Sequence, residues 1–213
     1  MENRYGVAPL DLGLLDLSFP EMMFWLYCPV KLPGCFPVSL PENLRQFAPF
    51  LSKVYQTIQQ PRWNDSYIYL TAKTLYVTAD NPGNRPGWHS DGFMTDDLNF
   101  IWSDCNGTLF WEPDERIGFT QDHHASLAEM EAAAEPDVDH HRIYPDKHLL
   151  LLDQGVIHRV ANVKQPGMRT FVKVSVSRHK YNLVGNSINH ALSLPADYVE
   201  RSEGRNHPIG GAL

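Results

Sequence analysis

Sixteen prolines and fourteen glycines, spread along a chain of 213 residues, are the feature that most limits its fold. Proline removes a backbone donor and fixes φ, and glycine is costly inside a helix, so breaks this frequent exclude a long coiled coil and favour short elements joined by turns. Between the breaks, the chain from Tyr67 onward is β-prone. YIYLTAKTLYVTAD supplies one long strand or two shorter ones before the turn NPGNRPG; DLNFIWSD, NGTLFWEP, HLLLLDQG, VIHRV and MRTFVKVSVSRH follow, separated by Gly, Asn, Asp or Pro. This succession predicts a β-sandwich or barrel with flanking helices rather than alternating strands and helices, and no GxGxxG or GxxxxGK motif occurs.

Two stretches depart from the pattern. Between Pro41 and Pro61, the side chains Leu44, Phe47, Leu51, Val54 and Ile58 recur every three to four residues, which predicts an amphipathic helix that Pro49 kinks or divides and that a sheet must cover. Between 113 and 145, Ser126 and Glu129 form a capping-box pattern ahead of LAEMEAAAE, which predicts a short helix in an insertion, either a solvated loop or a lid beside a pocket. Residues 20–41 read as irregular or edge structure, with room for a short helix at FPEMMFWLYC, and receive no catalytic role. The expected organisation is one domain over 1–213, with a support region at 1–66, a β-core at 67–178 and the 113–145 insertion within it.

Charge and cysteine content narrow the function. With 25 Asp and Glu against 18 Lys and Arg, the formal charge is -7, which disfavours duplex nucleic acid as a partner and favours a small molecule or an amino-acid or peptide-like substrate. Cys28, Cys35 and Cys105 show no CxxC spacing, so neither a disulfide framework nor a thiolate zinc site is expected, and a cytoplasmic setting is. No membrane association is expected either: the apolar stretch from Met22 to Cys28 is far shorter than the roughly 20 residues of a membrane helix. A monomer or a homodimer is expected.

The residues that carry chemistry begin at GWHSDGF. His89 and Asp91 are two apart, so on an extended segment both point to one side. His158, in DQGVIHRV, is a third candidate that a sandwich can bring beside them. Singly each has an ordinary explanation: Asp91 as a turn residue before Gly92, His158 as a hydrogen-bonded strand residue. Together, two imidazoles and one carboxylate suit a non-haem Fe(II) with positions left for oxygen and a bidentate organic ligand. In MRTFVKVSVS, Arg169, Phe171, Lys173 and Ser175 share one parity and Val172, Val174 and Val176 the other, giving a polar face and an apolar one.

His89, Asp91, His158 and the run DQGVIHRVANV…GMRTFVKVSVS resemble the Fe(II)- and 2-oxoglutarate-dependent dioxygenase superfamily over residues 67–178. The resemblance implies a double-stranded β-helix (jelly roll, cupin-like) and the metal ligands His89, Asp91 and His158. It also implies an Arg or Lys on the last core strand for the distal carboxylate of 2-oxoglutarate. Arg169, eleven residues after His158, fits that place, with Lys173 the second choice; a planar guanidinium pairs well with a carboxylate. Tyr67, Tyr69 and Tyr76 are candidate hydroxyl donors to the cosubstrate, Tyr76 among the cofactor-binding set, and Trp88, Phe93 and Trp102 are candidate wall residues. Asn99 has a weak claim near the cosubstrate, and Arg159, next to His158, should point away from the metal. The implied reaction uses O2 and 2-oxoglutarate to oxidise a C–H bond, by default to an alcohol. The rivals are a metal cupin enzyme that does not use 2-oxoglutarate and a catalytically silent β-sandwich that binds a small molecule. His123, His124, His140 and His141, in the Asp-rich insertion, are placed at the periphery.

Overall fold

The computed structural model describes residues 4–201 apart from 193, 195 and 196. In chain order its elements are β1 (Leu10–Leu14), β2 (Met23–Lys31), α1 (Ala48–Thr57), α2 (Gln60–Asn64), β3 (Tyr67–Val77), β4 (His89–Ser90), β5 (Leu98–Ser103) and β6 (Thr108–Trp111). There follow α3 (His123–Ala134), β7 (His141–Ile143), β8 (His148–Leu152), β9 (Ile157–Val160) and β10 (Gly167–Ser177), with 3-10 turns at Glu42–Phe47 and Val138–His140. No helix among the described residues is long and apolar enough to cross a membrane.

The strands form two antiparallel sheets, ordered β1-β8-β5-β10-β3-β2 and β4-β9-β6-β7. From β3 to β10 the chain passes back and forth between them, and only β6 and β7 are consecutive in one sheet. Eight strands wound in this way make the double-stranded β-helix that the sequence led one to expect, a solution in which short strands cover one another's apolar faces. β1 and β2 extend the larger sheet at its two edges.

The parity of β10 divides the interior. Val172, Val174 and Val176 are fully buried with Ile68, Leu70 and Ala72 of β3 and with Phe50, Leu51 and Val54 of α1. Burial of such side chains contributes about 1.5–3 kcal/mol each, so packing rather than propensity holds this ten-residue helix, which alone in water would be marginal. Pro49 divides the expected helix: Glu42–Phe47 winds as a 3-10 turn, and Pro49 sits in the first turn of α1, where its missing N–H costs nothing. The odd residues of β10 face the space between the sheets, where Phe171 packs with Ile101, Phe110, Leu150, Leu152 and Val156.

Two local expectations are corrected. FPEMMFWLYC contains no helix: Met23–Lys31 is an edge strand paired to β3. The insertion helix begins before Ser126, because Asp122 is its N-cap and accepts hydrogen bonds from the amides of His124 and Ala125 at 3.0 and 2.8 Å. Glu129 is not the second half of a capping box either; its carboxylate receives the Thr120 amide and hydroxyl at 2.8 and 2.6 Å.

Candidate metal centre

β4 and β9 are antiparallel neighbours in which His89 stands directly opposite His158. Directly opposed residues project to the same face, and the two rings accordingly lie 4.5 Å apart between centroids. Asp91 follows β4 at the start of a turn that brings its carboxylate back toward the pair. Gly92 permits that turn, with φ at +73°, and a Cβ there would lie 2.9 Å from Asp97 Cβ and 3.0 Å from Thr95 Oγ1. The result is one ligand atom from each of His89, Asp91 and His158, all within 4.8 Å of one another.

The hydrogen bonds behind the rings suit these residues to a metal ion. His89 Nδ1 lies 2.9 Å from the Gly87 carbonyl and His158 Nδ1 3.3 Å from the Val156 carbonyl. A carbonyl only accepts, so each Nδ1 carries the proton and the lone pair of each neutral ring sits on Nε2. Those Nε2 atoms are 4.0 and 3.8 Å from the two Asp91 oxygens, too far for hydrogen bonds but within the span that a single ion with ligand bonds of roughly 2 Å can bridge. Burial alone would raise the Asp91 carboxyl, yet the ammonium of Lys173, through its charge and its hydrogen bond, opposes this and holds it below the usual carboxylate range. Two neutral nitrogens and an ionised carboxylate form the donor set of a 2-His-1-carboxylate site.

A cavity of about 290 Å³ opens beside these ligands. Lys173 Nζ donates to Asp91 Oδ2 at 3.1 Å and to Tyr27 Oη at 3.1 Å, so it acts on the metal carboxylate. Arg169 is only 3% exposed, donates from Nε to the Cys105 carbonyl at 3.1 Å, and lies 5.3 Å over the Phe171 ring, which forms the cavity wall at that point. With the Asn84 amide turned so that both its ends are satisfied, its oxygen accepts from Arg169 Nη1 at 3.2 Å. Arg169 Nη2 is buried and has no hydrogen-bond partner among the described residues, an orphan donor that a carboxylate would satisfy.

Tyr76 is not part of this site. It lies on the opposite face of β3 from the cavity-lining Thr71 and Lys73 and is 56% exposed. Tyr69 is used structurally, donating its hydroxyl to the His179 carbonyl at 3.0 Å and accepting from the Tyr181 amide at 2.9 Å. Phe93 lines the cavity, whereas Trp102 is buried in the helix-side core with its indole N–H on the Leu15 carbonyl. Asn99 accepts from the Ser175 hydroxyl at 2.6 Å.

Among the cavity residues that the sequence reading did not mark are Lys73 and Tyr27. Lys73 leaves a signal there, a lone cation in an otherwise uncharged strand. Its Nζ donates to the Gly83 carbonyl at 3.3 Å, and burial, followed by the nearby charges of Lys173 and Arg169, pushes it down to about 8. Tyr27 has no comparable signal. The β2–β3 register shifts between Trp25 and Cys28, and Tyr27 adopts φ +47°, a conformation costing about 1–3 kcal/mol for a non-glycine residue. This bulge delivers its ring to the cavity and to Lys173.

The insertion is fastened to the backs of the ligand strands. Glu131 accepts the Trp88 amide at 2.9 Å, and Glu135 accepts the Trp88 indole N–H at 2.7 Å and pairs with Arg159 at 3.4 Å. Trp88 precedes His89 and Arg159 follows His158, so α3 braces both metal-ligand strands at once. His123, at the start of α3, lines the cavity, whereas His140 pairs with Asp137 at 2.8 Å and the His141 ring contacts the Ala134 carbonyl at 2.7 Å. The other His/Asp grouping among the described residues is Asp96, Asp97 and His179. There Asp96 is already paired with Arg62 and with Arg178.

No family model and no curated protein matches the chain. Among solved structures, the crystal structure of a full-length Neurospora crassa protein in complex with alpha-KG aligns at 13% identity with a TM-score of 0.34, over 80% of this chain and 60% of that one. A likeness this distant fixes neither fold nor chemistry.

Proposed function

We propose that this chain is an Fe(II)- and 2-oxoglutarate-dependent oxygenase that hydroxylates a C–H bond of a small molecule or an amino-acid or peptide-like substrate. The observation that carries this reading is the convergence of His89, Asp91 and His158 at one end of a double-stranded β-helix, with both imidazole tautomers set by backbone carbonyls. Bound there, iron and 2-oxoglutarate supply the oxidising power by using O2 to convert the cosubstrate to succinate and CO2. The protein's part is to hold and orient. His89, Asp91 and His158 hold the ion, and Lys173 keeps the Asp91 carboxylate ionised and fixed. Arg169, through its orphan Nη2, and Lys73, on the neighbouring strand, are the cations for the distal carboxylate. Phe171 and Phe93 line the cavity and limit water there.

The test is anaerobic. Adding Fe(II) and then 2-oxoglutarate should produce a metal-to-ligand charge-transfer band in the visible region, and Asp91→Ala or His158→Ala should abolish both the band and tight Fe(II) binding while the circular dichroism is kept. Tight metal binding without the band would assign the site to a cupin enzyme that does not use 2-oxoglutarate. Unchanged iron binding in both variants would remove the metal centre altogether.

A further inference from the structure

The charge of the cavity identifies what else it binds, on the premise that the oxygenase reading holds. Among the described residues its wall carries the cations Lys73, Arg85, Arg159, Lys173 and Arg201 and one carboxylate, Asp91, on a chain whose formal charge is -7. Iron and cosubstrate do not account for this surplus. A ferrous ion and the 2-oxoglutarate dianion cancel each other, so the loaded cavity keeps the same excess of positive charge.

The excess lies on two of these cations. Lys173 is balanced by Asp91 at 3.1 Å and Arg159 by Glu135 at 3.4 Å, and Lys73 is assigned to the cosubstrate. Arg85 and Arg201 remain. Among the described residues Arg201 is held by neutral acceptors only, Nη2 on Asn186 Oδ1 at 2.9 Å and Nε on the Val184 carbonyl at 3.3 Å. These bonds fix its guanidinium without neutralising it, the state of a receptor organised before its ligand arrives. Arg85 projects from the loop between β3 and β4 and makes no hydrogen bond or ion pair among the described residues. Phe24, Leu26 and Phe93 supply apolar wall to the same cavity. A cleft lined by one sign of charge concentrates counter-ions and draws them in.

We infer that the molecule oxidised here is a small acid, bound beside 2-oxoglutarate with its carboxylate or phosphate on Arg85 and Arg201 and its apolar part on Phe24, Leu26 and Phe93. The net charge of the chain points the other way, toward cationic substrates, and the cavity overrides it because the field at the reacting centre is set by the nearest unneutralised groups.

Ligand-observed NMR on the protein loaded with diamagnetic Zn(II) and saturating 2-oxoglutarate tests this. The library is paired, each N-acyl amino acid with its primary amide and each phosphate monoester with its parent alcohol, and 2-oxoglutarate occupancy is followed in the same samples. Binding should be confined to the acidic member of each pair, to weaken at high salt, and to fall about tenfold or more in Arg85→Gln or Arg201→Gln with 2-oxoglutarate still bound. Whether carboxylates or phosphates respond names the acid. Equal binding of neutral and acidic members, acids that bind only by displacing 2-oxoglutarate, or wild-type affinity in both arginine variants would overturn the inference. A missing charge-transfer band with Fe(II) and 2-oxoglutarate, alongside selective binding of acids, would instead overturn the oxygenase reading and leave an acid-binding pocket.

Discussion

Replacing Lys73 by Met should stabilise the metal-free protein and weaken its grip on the cosubstrate. Burial, followed by the charges of Lys173 and Arg169, lowers Lys73 from 10.5 to about 8. Because the folded value lies below the unfolded one, the charged ammonium costs stability at all pH below 8, and the cost disappears as pH rises through 10.5. With those two values the cost is about 3 kcal/mol at pH 7 and about 1 kcal/mol at pH 9.5. Loss of the hydrogen bond to Gly83 removes about 1 kcal/mol from the gain at either pH. Lys73→Met should therefore be about 2 kcal/mol more stable than the native chain at pH 7 and close to neutral at pH 9.5, read from urea unfolding with chelator present and unchanged slope. The same variant, loaded with metal, should bind 2-oxoglutarate at least tenfold more weakly by calorimetry, since a charge-assisted contact is lost. A stability difference that does not change with pH, or a variant less stable at pH 7, would refute the reasoning.

Three further outcomes follow from the same geometry. Lys173→Met leaves the Asp91 carboxylate without its cation, so the metal-free protein should lose about 2 kcal/mol in urea unfolding at pH 7. Because Asp91 is then no longer held below the usual carboxylate range, metal affinity should fall more steeply on acidification than in the native chain, which titration with Fe(II) at pH 5.5 and 7 would show. Gly92→Ala forces a Cβ onto a left-handed turn already 2.9 Å from Asp97 Cβ, and should cost about 2 kcal/mol in stability and broaden or abolish the Asp91-dependent metal site. Glu135→Ala removes the acceptor of the Trp88 indole and the partner of Arg159, and hydrogen exchange should accelerate in α3 and β4 while β3 and β10 stay protected.

Much of the site was legible because strand parity is a local rule. The odd residues of β10 separate from Val172, Val174 and Val176 without any knowledge of the sheet, whereas Asp91, already past the end of β4, meets His89 through the turn at Gly92 rather than through parity. The rule also excludes Tyr76, whose even position puts it with Ile68, Leu70 and Ala72 rather than with Thr71 and Lys73. Tyr27 escaped it because a bulge breaks parity at that residue, and no side-chain pattern marks a positive φ at a tyrosine. Asp122 was passed over as a helix cap because Ser126 and Glu129 match a capping box, and the choice between two starts depends on what each acidic side chain meets in space.

By itself the sequence determined that the chain must be a layered β structure with a covered helix and a His–Asp–His donor set, since hydrophobic period, turn residues and donor chemistry are carried by neighbours along the chain. Only the tertiary structure decided what each cation does. Arg169 and Lys173 have the same parity on one strand, yet one is buried over the Phe171 ring with its Nε on the Cys105 carbonyl and the other is turned onto the metal carboxylate. Lys73 and Tyr27 join them from strands that the sequence does not connect. Electrostatic energy depends on distance through space and on burial, and at these positions both are set by which strands pair, in which register, and where a bulge shifts that register.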